Sequence, residues 1–369
     1  MAHISDLLQA YSFSSKDRFL AYVQIDTQSD PSSETSPTTE KQKELGKVLV
    51  QELKALGISN AHLDAHGYVY AHLSTNVSID VPGLCFCSHM DTSPDCSGAD
   101  VKPLVHANYQ GQDLVLPDDP SVIIRLSEHP DLAEQLGNDI ITASGLTLLG
   151  ADNKAGVAEI MDAAAFWVQH PEVPHGPISF VFTPDEEVGR GTDHIDIQKI
   201  NAKYGYTLDG EKRGHLEHET FSADGFQVTI EGVSQHPGFA KDRMESAIKI
   251  ASEIIQALPK DRLSPESTEG MEGFIHPVQI QGSVESAQID FILRDFKTEK
   301  LVEYGEFLKK LTKNVIRNYP NSSARFNQTE QYRNMHEILK DHPQCMDLAI
   351  RAMKMAGLRP ETRSEERRV

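Results

Sequence analysis

The stretch FVFTPDEEVGRG, from Phe180 to Gly191, carries an apolar, β-favouring run straight into two adjacent glutamates. The run Ile178–Thr183 reads as a buried strand, because it is rich in apolar, β-favouring residues. Further strand-like runs lie at Gly67–Leu73, Leu84–Ser88 and Tyr204–Leu208, and a helix is predicted from Lys154 to Gln169. Upstream, Leu45, Val48, Leu49, Leu53 and Leu56 recur at helical spacing along one stripe that Gly57 closes. Strands alternating with helices predict an α/β layer architecture with a mostly parallel sheet. In such sheets chemistry gathers in the loops beyond the strand ends, which is where the glutamate pair stands.

The grammar changes at Thr220. TFSADGFQVTIEGVS, a helix at 243–258, FIHPVQIQGSV, AQIDFILRDF, a helix at 298–319 and ARFNQTEQYRN follow in the order β-α-β-β-α-β. That order builds a small α+β sandwich with its own core. The expected organisation is a first domain over 1–219, an inserted domain over 220–331, and a return to the first domain over 332–369 through a helix at 343–356. A chain of 369 residues is long enough for two cores.

The 35 basic and 55 acidic residues give a formal charge of −20, which repels nucleic acid and anionic membrane surfaces. No apolar run has the length of a membrane span, and MAHISDLLQAYSFSS lacks the basic-then-apolar layout of a secretory signal. Cys85, Cys87, Cys96 and Cys345 form no paired framework. A cytoplasmic protein is the expectation.

Four segments end predicted strands or open helices with acidic or imidazole side chains: SHMDT with His89 and Asp91, LLGADNKAG with Asp152, TPDEEVGRG with Glu186 and Glu187, and YTLDGE with Asp209. Any one of these acids alone is as well explained by a helix cap or a solvated loop. Together they supply one imidazole and several carboxylates, the donor set of a hydrolytic metal centre. Adjacent glutamates need not repel beside a divalent cation, and their side chains point in different directions. One can ligate while the other takes a proton from an activated water. Asp91 is placed to hold the second ring nitrogen of His89, or else merely to cap a turn. Cys85 and Cys87 share a strand face with His89, so a thiolate site stands as an alternative to core packing.

HMDT, LGADNKAGVAEIM, FTPDEEVGRG, LDGE, QHPGFAK and FILRDF, taken in order over nearly the whole chain, resemble the two-zinc aminoacylase and carboxypeptidase-type exopeptidases. The resemblance implies a zinc-exopeptidase-like α/β domain interrupted by a lid, and an aminopeptidase that cleaves the first bond of tripeptides. It implies that Asp152 bridges two zinc ions, with cobalt or manganese as substitutes. His89 and Asp209 would complete one site, Glu187 would serve the other, and Glu186 would be the general base. Asp91 would orient His89. In the lid, His236 would steady the developing negative charge and Arg294 would clamp the substrate's terminal carboxylate. By residue type alone, His236 is equally a turn residue before Pro237, and Arg294 a partner for Asp295 or another acid. A homodimer through the lid is a further expectation.

The family pattern carries a last ligating histidine after a glycine-rich turn beyond the helix at 343–356. Here AGLRPETRSEERRV follows that helix, and no histidine comes after His342. The resemblance thus implies a shortened final segment, with a frameshift or premature stop near Arg363, and one metal site short of a ligand. Two other readings stay open: a related dipeptidase or N-acyl amino-acid deacylase, and a remnant that turns over nothing.

Overall fold

Leu45, Leu49 and Leu53 are fully buried along one face of helix α1 (Gln42–Ala55) in the computed structural model of the chain, which describes residues 2–210 and 212–364. The chain divides into two compact units, Met1–Asp209 and Gly210–Val369.

In the first unit, strands β1 (His62–Leu63), β2 (Val69–Leu73), β3 (Leu84–His89), β4 (Ile178–Thr183) and β5 (Tyr204–Thr207) form one sheet in the order β1-β2-β4-β3-β5. The three strands whose ends carry the acidic segments, β4, β3 and β5, run parallel. β2 joins β4 antiparallel, and β1 joins β2 antiparallel. The sheet is therefore mixed at one edge and parallel at its functional centre. β1 and β2 run antiparallel because a short turn through Gly67, at φ +92, joins them, whereas parallel neighbours need a crossover.

Helix α2 (Ala151–Gln169) is the crossover before β4. Its Val157, Ile160, Met161 and Ala164 pack with the α1 stripe against Val69, Ala71, Phe180 and Phe182 of the sheet. Tyr68, Tyr70, Cys85 and Val181 form a smaller cluster that includes Ile195 and Ile200. β4 is buried at all six positions, as expected of a strand covered on both faces.

In the second unit, β6 (His215–Glu219) precedes an antiparallel sheet. That sheet is made of β7 (Ser222–Glu231), β8 (Phe274–Gly282), β9 (Ser286–Asp295) and β10 (Ser323–Tyr332), in the order β8-β9-β7-β10. Helices α3 (Ala247–Gln256) and α4 (Thr298–Ile316) complete the β-α-β-β-α-β order. β9 alternates buried and half-buried residues along its whole length, so one face alone turns to the core. Phe226, Val228, Ile289, Phe291 and Leu293 from that face meet Ile250, Ile254, Leu301 and Leu308 from the helices.

After helix α5 (Gln344–Met355), strand β11 (Glu361–Ser364) pairs parallel with β6. Of the SEERRV segment, only Ser364 lies within the described residues. Among the described residues no helix is long and apolar enough to cross a membrane.

Candidate metal centre

Each candidate side chain sits at or just beyond the end of a strand or at the start of a helix. β3 ends on His89, whose side chain is 2% exposed. The helical start of α2 is irregular: Asp152 (φ −80, ψ 105) and Asn153 are non-helical, and regular helix resumes at Lys154, the predicted start. Asp152 is thus a half-free residue between a left-handed Gly150 and a fixed helix, and its side chain is 73% exposed. β4 gives way to Pro184 and Asp185, and the doublet Glu186–Glu187 forms a single turn of 3₁₀-helix. Asp209 lies two residues beyond the end of β5.

These ends converge. The Nε2 of His89 lies 2.8 Å from Asp152 Oδ1, 3.6 Å from Asp209 Oδ1 and 3.9 Å from Glu186 Oε2. One ligand atom each from His89, Asp152 and Glu187 falls within 4.8 Å of the others. On the far side of the ring, Nδ1 donates to the Asp91 carbonyl at 3.1 Å and lies 3.3 Å from Asp91 Oδ1. The Asp91 carboxylate, fully buried, also accepts the backbone N–H groups of Glu186 at 3.0 Å and Glu187 at 3.1 Å. Asp91 therefore caps the turn of the glutamate pair and at the same time joins that pair to the histidine.

The loops are stitched below the site. Ser88 Oγ donates to the Asn153 carbonyl at 3.1 Å and lies 3.4 Å from the Leu208 carbonyl. Gly156 leaves room for this: a Cβ there would stand 2.1 Å from the Leu208 oxygen and 2.8 Å from Ser88 Oγ.

Electrostatics follow from crowding carboxylates around one buried ring. Burial alone would lower the His89 pKa, but its contacts with Asp152, Asp209 and Asp91 outweigh this and carry it up to about 12. The Asp152 carboxyl is lowered by the His89 hydrogen bond, against burial. Burial lifts Glu187 to about 7, with the Asp152 charge adding. Burial likewise raises Glu186; His89 opposes this, and Asp209, Asp91 and Asp152 add to it. Such a cup demands positive charge at its centre. A divalent cation meets that demand as well as a proton does, and leaves Nε2 a lone-pair donor. A nitrogen and several carboxylate oxygens fit zinc, cobalt or manganese.

Cys85 and Cys87 are free thiols raised by burial to about 12 and about 11, and neither joins the ligand cluster. Cys85 packs against Tyr68, Tyr70 and Val181, so the thiolate alternative yields to core packing. His236 and Arg294 belong to the second unit. The Nδ1 of His236 accepts the Gly238 N–H at 3.2 Å. Arg294 donates to the Leu293 carbonyl at 3.0 Å, lies over Tyr332 at 5.5 Å, and makes no carboxylate pair among the described residues. Sequence reasoning passed over Asp185. Its signal was present as a third acid directly after Pro184.

A family model described as a peptidase dimerisation domain matches residues 218–322. Peptidase T of Clostridium acetobutylicum is 44% identical over 94% of this chain and 85% of its own length. A tripeptidase from Staphylococcus aureus superposes with a TM-score of 0.72 at 20% identity, over 96% of this chain and 84% of that one. A dinuclear metal-binding peptidase of the M20 family from Bacillus subtilis superposes with a TM-score of 0.57 at 14% identity, over 96% and 82%. The fold is that of the M20 peptidases, an α/β domain carrying a dimerisation, or lid, domain. With identity at 44% across nearly the whole chain, the chain belongs to the peptidase T family.

Proposed function

We propose that the chain is a metallo-aminopeptidase that removes the N-terminal residue of tripeptides. The observation that carries this reading is the meeting of His89, Asp152 and Glu187 within 4.8 Å, beside Glu186, in a member of the peptidase T family. His89 and Asp209 would hold one zinc ion, Glu187 the other, and Asp152 both. When bound, such ions polarise a carbonyl and lower the pKa of water.

The chain's own groups do the rest. Glu186 takes the proton of the attacking water and delivers it to the leaving amine. Burial raises the Glu186 carboxyl above the usual carboxylate range, which makes it a better proton acceptor than a solvated glutamate. Asp91 keeps the His89 ring turned so that Nε2 faces the ligand cluster. Because His236 Nδ1 accepts a backbone N–H, the neutral ring carries its proton on Nε2, a donor suited to the developing oxyanion. Arg294, without a carboxylate partner among the described residues, is suited to the substrate's terminal carboxylate.

Three finer points belong to the same proposal. The three-part organisation is 1–219, 220–331 and 332–369, and the lid mediates a homodimer, which the match over 218–322 supports. The setting is the cytoplasm, in keeping with four free cysteines. Assays with tripeptides, dipeptides and N-acyl amino acids test the activity. Tripeptides with a free amine should be cut in the presence of zinc, cobalt or manganese, with loss on chelation and recovery on metal return. Cleavage of acyl amino acids without tripeptides would replace this reading with the deacylase one.

A further inference from the structure

Asp185 is 1% exposed, stands next to the proposed base, and takes no part in the ligand cluster. Its backbone is left-handed at φ +57, which aspartate tolerates better than most residues. Its carboxylate accepts the Thr38 N–H at 2.9 and 3.0 Å, the Thr38 hydroxyl at 2.5 Å and the Gln42 side-chain amide at 2.7 Å. The Asp185 N–H in turn donates to Gln42 Oε1 at 3.1 Å. Five residues further on, Arg190 donates to the carbonyls of Ser33 and Thr35 at 2.9 and 3.1 Å.

Both ends of the 185–190 turn therefore grip one segment, Ser33–Gln42, that leads into α1. Between the grips lie Glu186 and Glu187, whose N–H groups are held from the other side by Asp91. The doublet has three mounts, and only Asp91 touches a ligand. A buried carboxylate met by neutral donors is an expensive way to fasten a loop, since a neutral side chain would serve a merely structural bond at lower desolvation. What the charged arrangement adds is direction. It fixes the residue whose φ and ψ aim the next two side chains, and charge-assisted bonds are short and directional.

Resting on the function proposed above, we infer that Asp185, with Thr38 as its partner, is a positioning residue that sets the aim of Glu186 as base and Glu187 as ligand.

The test uses the full chain with Thr38→Val, which removes the hydroxyl and keeps shape, Thr38→Ser, which restores it, and Asp185→Asn. Tripeptide turnover is measured per folded molecule, and cobalt(II) affinity is measured by titration of its visible absorbance. Because small misplacements are costly in near-attack geometry, T38V and D185N should lower kcat by about 10- to 100-fold while KM moves by no more than about threefold. Their cobalt affinity should weaken by about threefold to tenfold, and T38S should recover both quantities to within about threefold of the parent. The cobalt titration reads the aim of Glu187 whatever the substrate, so a parent that binds cobalt yet cuts no tripeptide would indict the proposed function and not the clamp. If T38V and D185N keep kcat and cobalt affinity within about twofold of the parent, even with a lowered Tm, the clamp is only a folding device and the inference is overturned.

Discussion

Glu186 and Glu187 are neighbours in sequence to which the proposed function gives separate tasks, and single substitutions should separate them. Glu186→Gln keeps the size and loses the proton acceptor. It is expected to reduce kcat by about a hundredfold to ten-thousandfold while leaving the cation stoichiometry unchanged. Elemental analysis beside turnover checks both halves, and a variant that loses its metal would reassign Glu186 as a ligand. Glu187 has a pH signature. Its carboxyl is lifted from 4.5 to about 7, so in the metal-free protein it contributes stability below the unfolded value that is lost as pH rises through the folded one. A cation requires the ionised form. Binding at about pH 6 should therefore release close to one proton from Glu187 beyond the one displaced from His89. Calorimetry in buffers of different ionisation enthalpy counts those protons. A release of no more than about one proton at about pH 6 would contradict the assignment.

At the scale of elements, the close approach of helix α2 to the ends of β3 and β5 depends on Gly156. A methyl group there meets the Leu208 carbonyl at 2.1 Å and Asn153 Oδ1 at 2.5 Å, so backbone must move. Gly156→Ala is expected to destabilise the protein by about 1–3 kcal/mol. It should also weaken cation binding, since Asp152 and Asp209 hang from the displaced segments. Denaturant unfolding and metal titration together decide, and a variant matching the parent in both would show that the contact is slack.

This is also where legibility in the sequence ends. Ile178–Thr183 was readable to the residue, because apolar β-formers and a proline mark it locally. That His89, Asp152 and Glu187 come together was readable, because each stands at or just beyond the end of a strand or at the start of a helix. The antiparallel edge at β2 was not, since strand direction is set by connections and not by residue type. Nor were the contacts of Asp185 and Gly156. Asp185 finds Thr38 147 positions away, and Gly156 is required by a carbonyl on another strand.

For the molecule as a whole, each unit has a core of its own: Leu45, Val157 and Phe180 anchor one, and Phe226, Ile289 and Leu308 the other. The proposed metal ligands all lie in the first unit, Met1–Asp209. Thermal unfolding should accordingly resolve into two transitions, only one of which responds to cation. At a free concentration a hundred times Kd, that transition should gain about 2.7 kcal/mol, a rise of about 5–10 °C for a unit of this size. Differential scanning calorimetry with and without zinc reads this directly. A single transition moving as one would mean that the cores melt together.

Asp91 grips the histidine with one hand and the glutamate pair with the other. On the proposed function, metal affinity and proton transfer therefore share a fulcrum, and a substitution at this position retunes both. Independent control of the two would have to come from substitutions that leave this shared carboxylate in place.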